Sequence, residues 1–266
     1  MKPAPFGWIR AHSVAEAVAA LREHPEAKVI AGGQSLVPLL NFRLSRPSHL
    51  VDINPLETSL NQVEWSGSAL TLGALVRHQR LAEHPVVRER VPVLSRAASH
   101  IGHWAIRVRG TLGGSISHAD PAAELPAAMV ALNAVLVAQS ADGTREIPAS
   151  EFFQGYYTTA LQADELLTAV RIPAPEGRWG FAEVARRLGD FALAGAFVQR
   201  GSRVAVTWFG VAGAPVRVEL TEVPADARER EVAWRQALTT AVGSDLEVAK
   251  VAQAVAVAEK AWSEAQ

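Results

Sequence analysis

Apolar positions near the start of the chain repeat at helical spacing. Val14 and Val18 lie four residues apart, and Ser13 with Glu16 forms a capping box at the start of the same stretch. A short apolar run then leads directly into two glycines. The pattern of the first 56 residues predicts a small α+β lobe with a strand at 28–31, a short helix at 36–44 and a strand at 49–53.

The middle of the chain, residues 57–173, mixes strand-like and helix-like stretches. Asp142-Gly143 between two predicted strands is a hairpin-turn signal. We expect strands at 69–72, 134–138, 145–147 and 166–172, and helices at 76–83, 87–101 and 122–132.

The last region, residues 174–266, favours an antiparallel sheet followed by two helices. Trp234 and Leu238 are four residues apart and are predicted to face that sheet. The predicted strands are 181–186, 192–199 and 203–211, and the predicted helices are 226–241 and 245–263. The fold class is therefore α+β, in three domains covering residues 1–56, 57–173 and 174–266.

The composition excludes several classes of function and says less about the fold. The 266 residues carry a formal net charge of -1, so no general basic field favours nucleic acid or anionic lipid. No apolar run is long enough for a signal peptide or a transmembrane helix, which makes a cytoplasmic protein the simplest expectation. The absence of cysteine excludes disulfides, thiolate zinc sites and ordinary iron–sulfur ligation within this chain.

Two glycine segments are the main candidates for a binding site. The first, residues 31–36 (AGGQSL), follows a predicted strand, and its glycines permit positive φ and close approach of a ligand to the backbone. Successive N–H groups would then form an anion site. A tight turn that needs glycine for its geometry is the alternative interpretation.

The second segment, residues 110–115 (GTLGGS), repeats this arrangement. Two such segments together suggest an elongated anionic ligand, such as a dinucleotide with a diphosphate, bridging two lobes. Asp120 could accept hydrogen bonds from sugar or ribityl hydroxyls, or could cap a helix in front of Pro121. Glu124 is expected to be a first-turn helix charge, and His118 a hydrogen-bonded loop histidine or a ligand contact.

Four blocks in colinear order carry a family resemblance. They are AGGQSLVPLLNFRLSRPSHLVDIN (31–54), HWAIRVRGTLGGSISHADPAAELPA (103–127), FFQGYYTTALQADELLTAVRIP (152–173) and VARRLGDFALAG (184–195). The chain resembles the FAD-binding medium subunit of xanthine-oxidase-type molybdenum hydroxylases, the group that includes flavin subunits of carbon monoxide, nicotine and caffeine dehydrogenases. The resemblance implies a fold of the vanillyl-alcohol-oxidase (PCMH) type, with FAD between the first two lobes.

The resemblance also implies roles for individual residues. The first glycine segment would wrap the diphosphate, the second would form the other phosphate and ribityl wall, and Asp120 would bind ribityl or ribose hydroxyls. Two residues would line the adenine end, and a leucine and an aromatic ring would border the flavin. The implied cofactor-binding residues are Ala31, Gly32, Gly33, Gln34, Ser35, Leu36, Ile101, Gly102, Gly110, Thr111, Gly113, Gly114, Ser115, Asp120, Leu166 and Phe191.

Other residues of these blocks have less specific interpretations. Arg186 and Asp190 are expected to form a structural ion pair. Val108 stands where relatives often carry asparagine, so one hydrogen bond near the flavin would be missing. His100 and His103 could share a helix face as a metal pair, but no third ligand is evident.

The function implied by the resemblance is electron transfer. Electrons would pass from two iron–sulfur clusters on a small 2Fe-2S subunit, fed by a molybdopterin-binding large subunit, through FAD to NAD⁺, a quinone, oxygen or another acceptor. No catalytic acid–base pair is expected in this chain. A stand-alone flavoenzyme and a binding module that has lost FAD are the alternatives, and the intact glycine segments argue against the latter.

Overall fold

The computed structural model describes residues 1–265 and contains three main sheets. The sheets lie within residues 7–52, 63–173 and 178–220, so each of the three predicted regions contributes one sheet. The mixed helix and sheet content agrees with the predicted α+β class. Within residues 1–265, no helix combines the length and the apolar composition needed to cross a bilayer.

The first sheet has three parallel strands in the order β1-β3-β2. Helix α1 begins as predicted, because the Ser13 hydroxyl accepts a hydrogen bond from the Glu16 N–H. A single 3₁₀ turn, Asn54–Leu56, follows the third strand. The elements are β1 (Gly7–Arg10), α1 (Val14–Glu23), β2 (Lys28–Ile30), α2 (Leu36–Asn41), β3 (His49–Asp52) and α3 (Glu57–Leu60).

The second sheet has five strands in the order β4-β5-β10-β6-β7, all antiparallel. The predicted hairpin at Asp142-Gly143 is confirmed, since Ser140 pairs with Gly143 across the turn. The strands are β4 (Val63–Ser66), β5 (Ala69–Gly73), β6 (Val135–Ser140), β7 (Gly143–Pro148), the small pair β8 (Phe153–Gly155) and β9 (Thr158–Thr159), and β10 (Leu166–Pro173).

Seven helices accompany this sheet. The helix predicted at 87–101 is divided, because one helix begins at Pro85 and ends at Arg90, and Pro92 starts a second one. The helices are α4 (His78–Glu83), α5 (Pro85–Arg90), α6 (Pro92–His100), α7 (Trp104–Arg107), α8 (Leu112–His118), α9 (Glu124–Ala131) and α10 (Ala149–Phe152).

The third sheet is a four-stranded antiparallel meander covered by two helices. Trp234 and Leu238 are fully buried in the core between these helices and the sheet, which confirms their predicted orientation. The sequence pattern did not predict the fourth strand. The elements are β11 (Arg178–Val184), β12 (Ala194–Arg200), β13 (Val204–Phe209), β14 (Val216–Leu220), α11 (Ala227–Val242) and α12 (Val248–Glu264).

Two of the three hydrophobic cores cross the predicted domain boundaries. The core of the first lobe includes Leu75 and Leu166 from the second sheet region. The core of the second region includes Phe181, Phe197 and Phe209 from the third sheet. The lobes are therefore joined by shared apolar packing.

Candidate functional site

The first glycine segment lies where β2 ends and α2 has not yet begun. Gly33 has a φ of +72°, which only glycine adopts without strain. The Gly33 carbonyl accepts a hydrogen bond from the Val37 N–H at 3.0 Å. The Gly32 carbonyl accepts one from the side-chain amide Nε2 of Gln34, also at 3.0 Å. The N–H groups of residues 32–36 donate to no acceptor within residues 1–265. A run of free backbone donors around a positive-φ glycine is a typical anion-binding arrangement.

The two glycine segments meet in space. A Cβ atom on Gly32 would lie 2.2 Å from the Arg109 carbonyl oxygen and 2.9 Å from the Gly110 Cα. These distances are shorter than any real carbon contact, so only glycine allows this approach. The close contact brings the first lobe against the start of the second glycine segment.

The second segment differs from its prediction. It is the start of helix α8, and Thr111 is the N-cap, with its hydroxyl accepting from the Gly114 N–H at 3.1 Å. The N–H groups of Leu112 and Gly113 donate to the carbonyls of Val76 and Ala74, each at 2.8 Å. Protein acceptors therefore occupy most of the backbone donors that a second phosphate cradle would need.

The glycines of the second segment allow close packing and do not mainly provide free N–H donors. A Cβ on Gly110 would lie 2.7 Å from the His78 ring, and a Cβ on Gly113 would lie 2.6 Å from the Ala74 Cβ. Gly114 is exposed, and its Cβ would meet only the Thr111 side chain. This segment exposes to a ligand the backbone of Gly114, which carries no side chain, and part of Ser115 with its hydroxyl group.

Two residues that sequence reasoning missed lie between the glycine segments. Arg77 donates to the Arg109 carbonyl at 2.6 Å and to the Asn54 Oδ1 at 3.2 Å. Asn54 in turn donates to the Ala31 carbonyl at 3.0 Å. The only sequence signal was the placement of Asn54 directly after a strand, two residues beyond Asp52, where its N–H and side chain bond the Asp52 carboxylate.

Asp120 is not the helix cap that one interpretation of the sequence predicted. Helix α9 begins at Glu124 with Ala123 as its N-cap residue. The Asp120 Oδ1 instead accepts from the Ala122 N–H at 2.9 Å and forms a turn, while Oδ2 lies 3.4 Å from the Tyr157 hydroxyl. Oδ2 therefore retains capacity to accept hydrogen bonds from a ligand.

His118 also differs from its prediction as a hydrogen-bonded loop histidine. It is the last residue of helix α8, and no hydrogen bond to its ring is present within residues 1–265. The ring lies 5.1 Å from that of Tyr157. Burial lowers the pKa of His118, while the nearby Asp120 carboxylate acts in the opposite direction.

Glu124 was predicted as a first-turn charge, and its position is confirmed but its charge is not. The side chain is only 6% exposed. Burial, followed by the nearby Glu183 carboxyl, raises the pKa of Glu124 to about 8. Burial also raises the pKa of Glu183 to about 7. Glu124 is therefore largely protonated at neutral pH.

The remaining predicted cofactor contacts differ in how exposed they are to a ligand. The carbonyls of Ile101 and Gly102 each accept from the Arg107 guanidinium at 3.1 Å. Leu166 is 4% exposed and packs in the core of the first lobe, so little of its side chain is open to a ligand. Phe191 is 67% exposed and free to contact one.

The loop that carries Phe191 lies against the segment before α7. A Cβ on Gly189 would lie 2.5 Å from the His103 ring. The predicted ion pair between Arg186 and Asp190 is absent from the described part of the chain. Among residues 1–265, no group of three His, Cys, Asp or Glu side chains is placed to hold a metal ion.

Comparisons with known proteins show the family of the chain. Residues 4–175 match the family described as the FAD binding domain in molybdopterin dehydrogenase. The chain is 46% identical over 206 residues to caffeine dehydrogenase subunit beta of Pseudomonas sp. (strain CBB1), covering 76% of this chain and 70% of that protein. It is 36% identical over 265 residues to the carbon monoxide dehydrogenase medium chain of Hydrogenophaga pseudoflava, covering 98% and 90%.

A solved structure agrees over the whole chain. Quinoline 2-oxidoreductase from Pseudomonas putida 86 superposes with a TM-score of 0.89 at 34% identity, covering 100% of this chain and 98% of that one. The chain thus belongs to the family of FAD-binding domains of molybdopterin dehydrogenases. Within it, the protein is a medium, FAD-binding subunit of the molybdenum hydroxylase type.

Proposed function

We propose that this subunit holds FAD across the contact between the two glycine segments and passes electrons from a partner's iron–sulfur clusters to an acceptor such as NAD⁺, a quinone or oxygen. The observation that carries the proposal is the run of free N–H donors at residues 32–36, directly beside the second glycine segment. Bound FAD would supply the electron chemistry, and the chain would supply binding and orientation.

The residues present fit the parts of an FAD molecule. The free N–H groups around Gly33 would hold the diphosphate, because successive backbone donors suit oxyanions. Ser115 would add a hydroxyl from the second glycine segment, and Asp120 Oδ2, which lies 3.4 Å from the Tyr157 hydroxyl, would accept from ribityl or ribose hydroxyls. The exposed Phe191 ring is available to the isoalloxazine.

The partners proposed are a molybdopterin-binding large subunit and a small 2Fe-2S subunit. Among the relatives, two carry the words subunit beta and medium chain in their names, which indicates assembly with other chains. This chain has no cysteine, so iron–sulfur clusters with ordinary thiolate ligands belong to another polypeptide. Copurification of chains that carry such clusters supports this assembly, whereas full activity of the isolated flavoprotein would favour a stand-alone enzyme.

A substitution at Ser35 tests the diphosphate site. Ser35 is exposed, precedes α2, and its side chain makes no capping hydrogen bond. Ser35→Asp places a negative charge beside the free N–H groups, and Ser35→Asn is a neutral control of the same shape and similar capping preference. Two unit charges about 5 Å apart repel by roughly 2–3 kcal/mol at an effective dielectric constant of about 20–40.

The expected result is a large difference between the two variants. FAD should bind Ser35→Asp roughly 30–150-fold more weakly than Ser35→Asn, measured by titrating flavin-free protein and following flavin fluorescence. Thermal unfolding without FAD should be similar for both variants, because each can cap the helix. Equal FAD affinities for the two variants would remove the diphosphate from this segment.

A further inference from the structure

We propose that Arg77 and Asn54 are positioning residues that fix the separation of the two glycine segments before FAD binds. They form a polar clamp, defined here as the Arg77 and Asn54 side chains with the carbonyls of Ala31 and Arg109. The inference rests on the proposed FAD site, but it concerns two residues outside the predicted contact set.

The Arg109 end of the clamp is anchored to the second region. The backbone from Ala74 to His78 pairs with residues 110–113, and the His78 N–H donates to the Gly110 carbonyl at 3.0 Å. The His78 ring Nε2 lies 2.9 Å from the Thr111 carbonyl. Since these bonds fix residues 109–111, the guanidinium of Arg77 bonds a carbonyl that cannot shift alone.

The Ala31 end of the clamp is anchored to the first lobe. Asn54 donates to the Ala31 carbonyl and to the Asp52 Oδ1, the latter at 2.7 Å, and its own N–H donates to the same oxygen at 3.0 Å. Asp52 is 5% exposed at the end of β3. The Asn54 amide is therefore held with its Oδ1 directed at Arg77.

The clamp completes a closed chain of contacts that runs from Ala31 through Asn54 and Arg77 to Arg109, which lies against Gly32. Arg77 uses two nitrogens of one planar fork, Nη1 for the Arg109 carbonyl and Nη2 for Asn54. The same Arg109 carbonyl oxygen stands against Gly32, the residue after Ala31. Any change in the reach of the Arg77 side chain thus changes how closely Gly32 and Arg109 approach, and with it the width of the FAD site.

Two features of the clamp make it suited to positioning. A guanidinium bonds two acceptors at a fixed angle, whereas a lysine ammonium in its place has no planar fork. Holding a binding site in its bound geometry strengthens affinity by lowering the cost of ordering it on binding. The clamp therefore predicts weaker FAD binding and an altered flavin environment when either residue changes, even where the fold is kept.

The test uses the protein purified with any subunits that accompany it and freed of flavin. The variants are Arg77→Lys, Asn54→Ala and the double variant. Arg80→Lys is the matched control, because Arg80 lies in helix α4, which Arg77 caps, and donates to the backbone carbonyl of Asn61, which belongs to neither glycine segment. FAD dissociation constants, the circular dichroism of saturated flavin, and the melting temperature without FAD are measured.

We expect each single variant to bind FAD about tenfold more weakly, the scale of one lost charge-assisted hydrogen bond. The double variant should lose about as much as one single variant, because both residues act through one chain of contacts. The flavin dichroism at saturation should change in all three variants and remain native in Arg80→Lys. If Arg77→Lys loses its fold, Asn54→Ala carries the same measurements.

The outcomes separate the clamp from the site it serves. Native FAD affinity and dichroism in the clamp variants, with FAD binding lost in Ser35→Asp, would overturn the clamp alone. Native affinity in both sets would overturn the proposed diphosphate site as well. A lowered melting temperature with unchanged FAD affinity and dichroism would reduce Arg77 and Asn54 to a structural role and would also overturn the positioning role.

Discussion

Replacing Glu124 by glutamine should stabilise the protein increasingly as the pH rises. Glu124 starts helix α9 with a side chain that is 6% exposed, and Glu183 and Asp120 are the carboxyl groups that act on it. Burial, and then Glu183, raises its pKa from the ordinary 4.5 to about 8. Glutamine has nearly the same shape as the protonated acid and carries no charge at any pH.

The sign follows from proton binding in the two states. Between pH 4.5 and 8 the folded protein keeps the Glu124 proton while the unfolded chain releases it, so the free energy of unfolding falls as pH rises. The slope approaches about 1.4 kcal/mol per pH unit for one group. From pH 5 to 7.5 the free energy of unfolding of the wild type should therefore fall by roughly 2–4 kcal/mol relative to that of Glu124→Gln.

Thermal unfolding at a series of pH values measures this difference. At about 2–4 °C per kcal/mol for a chain of this size, the melting temperature of Glu124→Gln should rise above that of the wild type by roughly 4–16 °C between pH 5 and 7.5. Glu231→Gln, on the exposed face of α11, is the control and should change little. A gap between Glu124→Gln and wild type that stays constant across this range would show that Glu124 is ionised in the folded protein.

Two further substitutions test the contacts around FAD. Gly32→Ala places a Cβ 2.2 Å from the Arg109 carbonyl, so it should cost roughly 1–3 kcal/mol of stability and lower the FAD content of the purified protein; full flavin occupancy with native stability would contradict the close contact. Phe191→Ala should leave the melting temperature nearly unchanged, because the ring is 67% exposed, while the absorbance spectrum of bound flavin shifts. An unchanged spectrum would place Phe191 outside the flavin site.

The first glycine segment shows what local sequence predicts well. A short apolar run followed by two glycines predicted a strand that ends in a positive-φ turn, and Gly33 has that conformation. The capping box at Ser13 was equally local and is confirmed. Both depend on residues a few positions apart, where backbone sterics and single hydrogen bonds decide the structure.

The second glycine segment shows where local reasoning failed. Glycines weaken helices, so a helix starting at Leu112 was not expected. Contact with residues 74–78 decides the outcome, because only glycine fits beside His78 and Ala74. The clamp was missed for a related reason, since nothing in the sequence signals that Arg77 and Asn54 would meet from different lobes.

The shared core of the first lobe limits how bound nucleotide can be exchanged. Leu75 and Leu166 belong to the second sheet region but are buried among the apolar residues of the first lobe. Separating the two lobes would expose both leucine side chains to water, at a free-energy cost of about 1.5–3 kcal/mol each. We therefore expect FAD to enter and leave without separation of the two lobes.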